Sequence, residues 1–272
     1  MRLDGHIHIT PGKPDPDGLL ARMKEGGVDG GVLLSISPPR GGRSHGLSFK
    51  ERLDNLMEWT DPAKNLFPFF YIGPLEDNAL DQVAIACERG VMGFKVICHN
   101  HYPSDPKAMQ VFRAIAQRKK CLFFHSGILW GGSFSGKYNR PCEFEALFDV
   151  QGARFSMAHI SWPWCDELIA VYGKFQYMDH SADPVKELFI DTTPGTPPIY
   201  RRDALTKLYT VGYDTQNNVF FGTDCHANSY DGPGAGELIA GDEKILRDAG
   251  LKDGEIEKYF SGNLLRFVAG SR

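Results

Sequence analysis

Residues 3–12 read L3-D-G-H-I-H-I-T-P-G12. In an extended strand, successive side chains point to opposite faces. His6 and His8 therefore share one face, and Ile7 and Ile9 the other. Such a pair is either a metal grip or two polar residues satisfied beside a core. The choice depends on what other strands bring to the same place.

Working outward, short apolar, β-rich runs recur along the chain. They are Leu3–Ile9, Val28–Ile36, Leu66–Ile72, Val91–Cys98, Cys121–Ser126, Arg154–Ile160, Glu187–Thr193 and Asn218–Thr223. Between them lie segments with helical apolar spacing, several ending at glycine. These run from Asp15 to Gly27, Ser48 to Asp61, Asn78 to Gly90, Pro106 to Lys119, Cys142 to Gly152, Trp164 to Lys174 and Tyr200 to Gly212. Eight alternating strand–helix units predict a closed (β/α)8 TIM barrel of the α/β class. Residues 1–272 are expected to form a single domain. An open doubly wound sheet would usually carry a glycine-rich turn after its first strand. Here T10-P-G-K-P-D15 follows instead. The later D231-G-P-G-A-G-E237 comes after the eighth strand and lacks the Lys-Ser/Thr of a phosphate loop. It reads as a flexible loop leading into a helix. Residues 254–267 read as two short closing helices.

Composition narrows the function classes. The net charge is -4 with no basic cluster, which argues against a nucleic-acid partner. No apolar run reaches about 18 residues, so no membrane span is expected. The six cysteines are scattered without a CxxC and read as reduced. With no secretory h-region after Met1, the expected location is cytoplasmic. A C2 homodimer is the default expectation for assembly.

Polar groups inside apolar strands carry the functional signal, because burial without a partner is costly. His6, His8, Lys95, His125, His159 and Asp224 all fall at or near the C-terminal ends of predicted strands. A barrel gathers those ends into one cup. His6, His8, His125 and Asp224 can then surround one divalent ion, and nitrogen and oxygen ligands with an open position suit catalytic zinc. Asp224 has two potential jobs, as a ligand and as a proton acceptor. His159 could bind a second ion, act in acid–base chemistry or hold a substrate oxygen. Lys95 needs an anion: a substrate carboxylate, an acidic side chain, or its own carboxylation between two metals. His226 and Asn228 follow Asp224 closely and are candidates to reach substrate. Arg40, Arg43 and Arg140 sit in loops that could bind a carboxylate.

The ordered set D4-G-H-I-H8, G93-F-K95, F124-H-S126, A158-H159, F221-G-T-D224 and S261-G-N-L-L-R-F267 resembles the amidohydrolase superfamily. Within it, the chain looks like the amidohydrolase-related (amidohydrolase 2) branch. The resemblance spans nearly the whole chain. It implies His6 and His8 as first-strand ligands, His125 and Asp224 as the fifth- and eighth-strand ligands, and His159 as a substrate-orienting residue. It also implies one metal ion, with Lys95 uncarboxylated and facing substrate. Where many relatives show His-x-Gly, this chain has H159-I-S-W-P-W164, which predicts a pocket reshaped by Trp162 and Trp164.

The activity expected is hydrolysis of a lactone or amide C=O in a small, carboxylate-bearing substrate, with Asp224 and His159 catalytic and Lys95, His159, His226 and Asn228 binding substrate. Two other readings fit the same residues. One is non-oxidative decarboxylation of a small aromatic or unsaturated acid. The other is a non-catalytic small-molecule-binding barrel.

Overall fold

In the computed structural model, residues 1–38, 46–130, 134–183 and 185–269 are described. The strands are β1 (Leu3–His8), β2 (Gly30–Leu34), β3 (Leu66–Tyr71), β4 (Gly93–Val96), β5 (Cys121–Phe124), β6 (Arg154–Met157), β7 (Glu187–Asp191), β8 (Val219–Phe220) and β9 (Cys225–His226). They form one sheet in the order β8-β7-β6-β5-β4-β3-β2-β1-β9. Every pairing in it is parallel.

The predicted eighth strand is two short pieces. β8 pairs with β7, and β9 pairs with β1 through Ile7–Cys225 and His8–His226. Between them the backbone bridges to β1 by Gly5 N–H to Phe221 O (2.9 Å) and Asp224 N–H to His6 O (3.0 Å). The sheet thus curls into a single (β/α)8-like barrel. The break has a local cause: Asp224 adopts a left-handed conformation (φ 64°), which a regular strand cannot hold.

The helices are α1 (Pro16–Glu25), α2 (Phe49–Thr60), α3 (Ala79–Glu88), α4 (Pro106–Gln117), α5 (Cys165–Tyr177), α6 (Pro198–Thr210), α7 (Gly232–Asp248), α8 (Asp253–Glu257) and α9 (Asn263–Ala269). Their starts follow from sequence. Asp15 and Asp105 accept backbone N–H bonds ahead of Pro16 and Pro106, and Ser48 with Glu51 forms a capping box. Two sequence expectations are corrected. Cys142–Gly152 was expected to be an α-helix, but Pro141–Asp149 is a 3-10 helix. The glycine-rich 231–237 segment is the opening of α7: Asp231 caps it by accepting from Gly234 N–H, and Pro233 supplies a fixed φ in the first turn.

Strand periodicity sorts the core into two parts. Leu122, Phe124, Phe94, Val96, Leu188 and Ile190 face the helices. Cys121, Phe123 and Phe189 alternate with them and belong to the cluster inside the barrel. The closing α9 adds Leu264, Phe267 and Val268 to that inner cluster. The Phe267 ring lies 5.0 Å from Phe189, 5.5 Å from Phe220 and 6.0 Å from Phe69, between centroids. One end of the barrel is therefore filled with aromatic rings. The same alternation places Lys95 and Asp191, each two residues beyond an inward position, at the other end. No helix among the described residues is long and apolar enough to cross a membrane. All six cysteines are free thiols.

Candidate metal centre

The strand ends converge on a cavity of 160 Å³ lined in part by His6, His8, Lys95, His125, His159 and Asp224. Within it, one ligand atom each from His6, His8 and Asp224 lie within 4.8 Å of one another. His6 Nε2 is 3.2 Å from His8 Nε2 and 3.5 Å from Asp224 Oδ1, and His8 Nε2 is 3.2 Å from the same oxygen. Asp224 Oδ1 owes its position to the left-handed turn at residue 224 and to the β9 bridge beside β1.

The orientation of His6 follows from Asp191 at the end of β7. Asp191 Oδ1 accepts from Thr193 N–H (2.7 Å) and the Thr193 hydroxyl (2.6 Å). Its Oδ2 stands 2.7 Å from His6 Nδ1, and both side chains are fully buried. We assign the proton to Nδ1, which donates to the carboxylate and leaves a lone pair on Nε2. Burial holds the His6 imidazole well below its usual pKa, assisted by the Lys95 charge, so the ring is neutral. Burial acts the other way on Asp191 and raises it. A buried carboxylate fixing the tautomer of a ligating imidazole is the arrangement that orients histidines at metal sites.

Two lone-pair atoms, His6 Nε2 and Asp224 Oδ1, thus face each other across 3.5 Å. A cation relieves that repulsion. The imidazole–imidazole–carboxylate donor set suits a borderline divalent ion such as zinc. Burial also works against the Asp224 carboxylate, but the His8 hydrogen bond and the surrounding His6, His8 and His159 rings outweigh it and keep it well below the ordinary range. It stays ionised, as a ligand must.

His125 shares this cavity but lies outside the three-residue cluster. Its Nε2 is buried and has no hydrogen-bond partner among the described residues. Burial, then the His159 and Lys95 charges, hold its pKa well below the usual value, so it too is neutral with an available nitrogen. Its ring is 4.8 Å from that of His159. His159 Nδ1 donates to Pro194 O at 3.2 Å, and burial lowers its pKa against the opposing charge of Asp224. Lys95 is buried, with Nζ 3.4 Å from His6 Nε2 and 4.5 Å from the Phe123 ring centroid.

The remaining sequence candidates lie further out. The His226 ring is exposed, 6.2 Å from that of His8. Asn228 Oδ1 accepts from the Thr10 hydroxyl at 2.8 Å, tying the loop after β1 to the segment after β9. Arg140 pairs with Glu167 at 2.5 Å and stacks over Trp164. None of these three lines the cavity. Arg40 and Arg43 lie outside the described residues.

Sequence reasoning missed two groups. Asp191 ends the apolar run E187-L-F-I-D191, and a carboxylate at a buried strand end is the same signal that marked the histidines. Asp4 was quoted within the opening motif without a role. It accepts from His6 N–H and Thr223 N–H, from the Thr223 hydroxyl at 2.5 Å and from the Tyr230 hydroxyl at 3.0 Å. That network fastens the first strand to the chain just before Asp224.

No protein-family model matches the chain, and no curated protein matches it in sequence. Solved structures do match in shape. An amidohydrolase from Burkholderia multivorans with bound HEPES superposes with a TM-score of 0.66 at 12% identity, over 99% of each chain. A probable 2-pyrone-4,6-dicarboxylic acid hydrolase from Acinetobacter baumannii gives 0.62 at 11%, over 98% of this chain and 99% of that one. A 2,6-dihydroxybenzoate decarboxylase gives 0.61 at 13%, over 99% and 98%. At such identities shape alone is shared: the chain has the (β/α)8-like barrel fold of these structures.

Proposed function

We propose that the protein is a metal-dependent hydrolase that adds water at the C=O centre of a lactone or amide in a small carboxylate-bearing substrate, breaking the ring C–O or the amide C–N bond. The observation that carries this reading is the convergence of His6, His8 and Asp224, with His6 Nδ1 held by Asp191. His6, His8 and Asp224 would hold one divalent ion, zinc by preference of the donor set, with His125 Nε2 as a fourth donor. When bound, such an ion acidifies water and polarises a carbonyl.

The chain's own residues supply the rest. Asp224, ionised and facing the cavity, accepts the proton of the attacking water and returns it to the leaving group. His159, with its Nδ1–H donated to Pro194 O, presents the Nε2 lone pair to a substrate hydroxyl. The Lys95 ammonium offers a countercharge to a carboxylate or a developing oxyanion. Trp162, Ile128 and Leu129 wall the cavity and limit the entry of bulk water.

Decarboxylation is the second reading. The same cavity suits a small acid, and a decarboxylase shares the fold. Two measurements test the proposal. Elemental analysis of the purified chain is expected to show one equivalent of divalent metal, lost in His6→Ala and in Asp224→Ala. A panel of lactones, amides and aromatic acids is expected to give ring opening or amide cleavage that chelation abolishes. Full activity after chelation refutes the metal-dependent reading, and CO2 release without hydrolysis transfers the site to the decarboxylase.

A further inference from the structure

The mouth of the cavity is built from two loops joined at the backbone. After β5 the chain runs Gly127-Ile128-Leu129-Trp130, and after β6 it runs His159-Ile160-Ser161-Trp162. Ile128 N–H donates to Trp162 O at 2.8 Å, and the Ser126 and Ser161 hydroxyls meet at 2.5 Å. Gly127 has φ +96°, and a Cβ there would stand 2.4 Å from Trp162 O. The close approach therefore needs glycine at 127. His159, Ile160 and Ser161 are all left-handed, with φ of 63°, 46° and 52°. A β-branched residue is strongly disfavoured there, and such strain persists only where the surroundings enforce it. The result is one turn that brings both His159 and Trp162 to the cavity wall.

Trp130 and Trp162 meet across these loops. Their rings lie 9° from parallel with centroids 6.0 Å apart, and both line the cavity. Trp130 is 76% exposed, so a large apolar face at the rim is left for a ligand to cover. The cavity volume is 160 Å³. An apolar cavity of about 150 Å³ holds one benzene ring. The space behind the indoles therefore matches one six-membered ring with small substituents.

We propose that Trp130 and Trp162 are specificity-determining residues that close the pocket over a flat, single-ring substrate and exclude larger ones. This rests on the reading of the cavity as the substrate site of a metal enzyme. The test uses the full chain loaded with zinc, titrated calorimetrically with benzoate and with 2-naphthoate as one-ring and two-ring probes. Wild type is expected to bind benzoate at least about tenfold more tightly than 2-naphthoate. Trp162→Ala is expected to shift that ratio by about tenfold or more toward 2-naphthoate, Trp130→Ala to shift it in the same direction, and Trp162→Phe to retain the wild-type preference. An unchanged ratio in both alanine variants overturns the proposal, as does equal binding of the two probes, or binding of neither, by wild type. Zinc content measured on the same samples separates the two readings. A wild type that fails to hold zinc overturns the metal centre, whereas a zinc-loaded wild type without ring selectivity overturns the aromatic gate alone.

Discussion

Asp191 never faces the cavity in its own right, yet it governs the nitrogen that does. Its Oδ2 fixes the proton on His6 Nδ1, and Thr193 fixes Asp191. Asp191→Asn is expected to leave the fold intact and weaken metal binding by about 10- to 100-fold. Competition with a chromophoric chelator measures this, and an unchanged affinity would show that His6 is oriented by other contacts. Asp4 invites a different measurement. Burial pushes its pKa from 3.8 up to about 7, against the pull of four hydrogen bonds. The folded chain thus keeps a proton that the unfolded chain has released. The stability this contributes is full below about pH 4 and is lost as pH rises to about 7. Asp4→Asn cannot titrate. Between pH 4 and pH 8 the metal-free wild type should lose on the order of 4 kcal/mol relative to the variant. Denaturant titrations of both at each pH provide the check, and parallel pH profiles would contradict it. At this scale His6, His8, Lys95, His125, His159 and Asp224 were legible because a polar group ending an apolar strand is conspicuous. The relation between His6 and Asp191 was not, since it crosses from β1 to β7 and no spacing encodes it.

Among the elements, the strands and most helices follow from periodicity and caps. The exceptions sit where side-chain chemistry overrides pattern. The eighth strand breaks because Asp224 must turn out of line to meet His6 and His8, and N218-V-F-F-G-T223 reads as continuous until that demand is known. Gly222 in this break is packed with no room to spare. A Cβ there would meet Thr193 Oγ1 at 2.2 Å and Asp191 Oδ1 at 3.0 Å. Gly222→Ala is therefore expected to destabilise the protein by about 1–3 kcal/mol and to weaken metal binding at the same time, because the clash falls on the pair that orients His6. Thermal unfolding with and without added zinc tests both effects. A variant that loses stability but keeps full affinity would uncouple Gly222 from the site. The 3-10 helix Pro141–Asp149 was misread for a simpler reason: its apolar residues occur at intervals that suit either helix type.

The whole molecule depends on contacts between elements distant in sequence. Arg201 of α6 makes a two-pronged ion pair with Asp242 of α7, at 2.7 and 2.6 Å, and donates to Thr192 O at 2.7 Å. Tyr259 also donates to Asp242, at 2.6 Å, and its hydroxyl meets that of Thr192. These bonds dock two helices and the C-terminal segment onto the end of β7, next to Asp191. Arg201→Met leaves Asp242 buried without its cation and is expected to cost about 3–5 kcal/mol. The double variant Arg201→Met with Asp242→Leu should recover much of that loss. Chemical denaturation decides, and an Arg201→Met protein as stable as wild type would show that water reaches Asp242. The closed α/β architecture was readable from strand count and alternation. These docking contacts were not, because charged residues on helices read as solvated until a partner is placed against them.

Closure through β1 and β9 has a further consequence for synthesis. Asp4 and Thr223 are 219 residues apart, yet they hold the same joint, and the pair His6 and His8 waits for Asp224 across it. A ribosome must add more than two hundred residues after His8 before Asp224 exists. A nascent chain cannot assemble the three-residue cluster early, so, under the proposed function, metal capture would report that the barrel has closed.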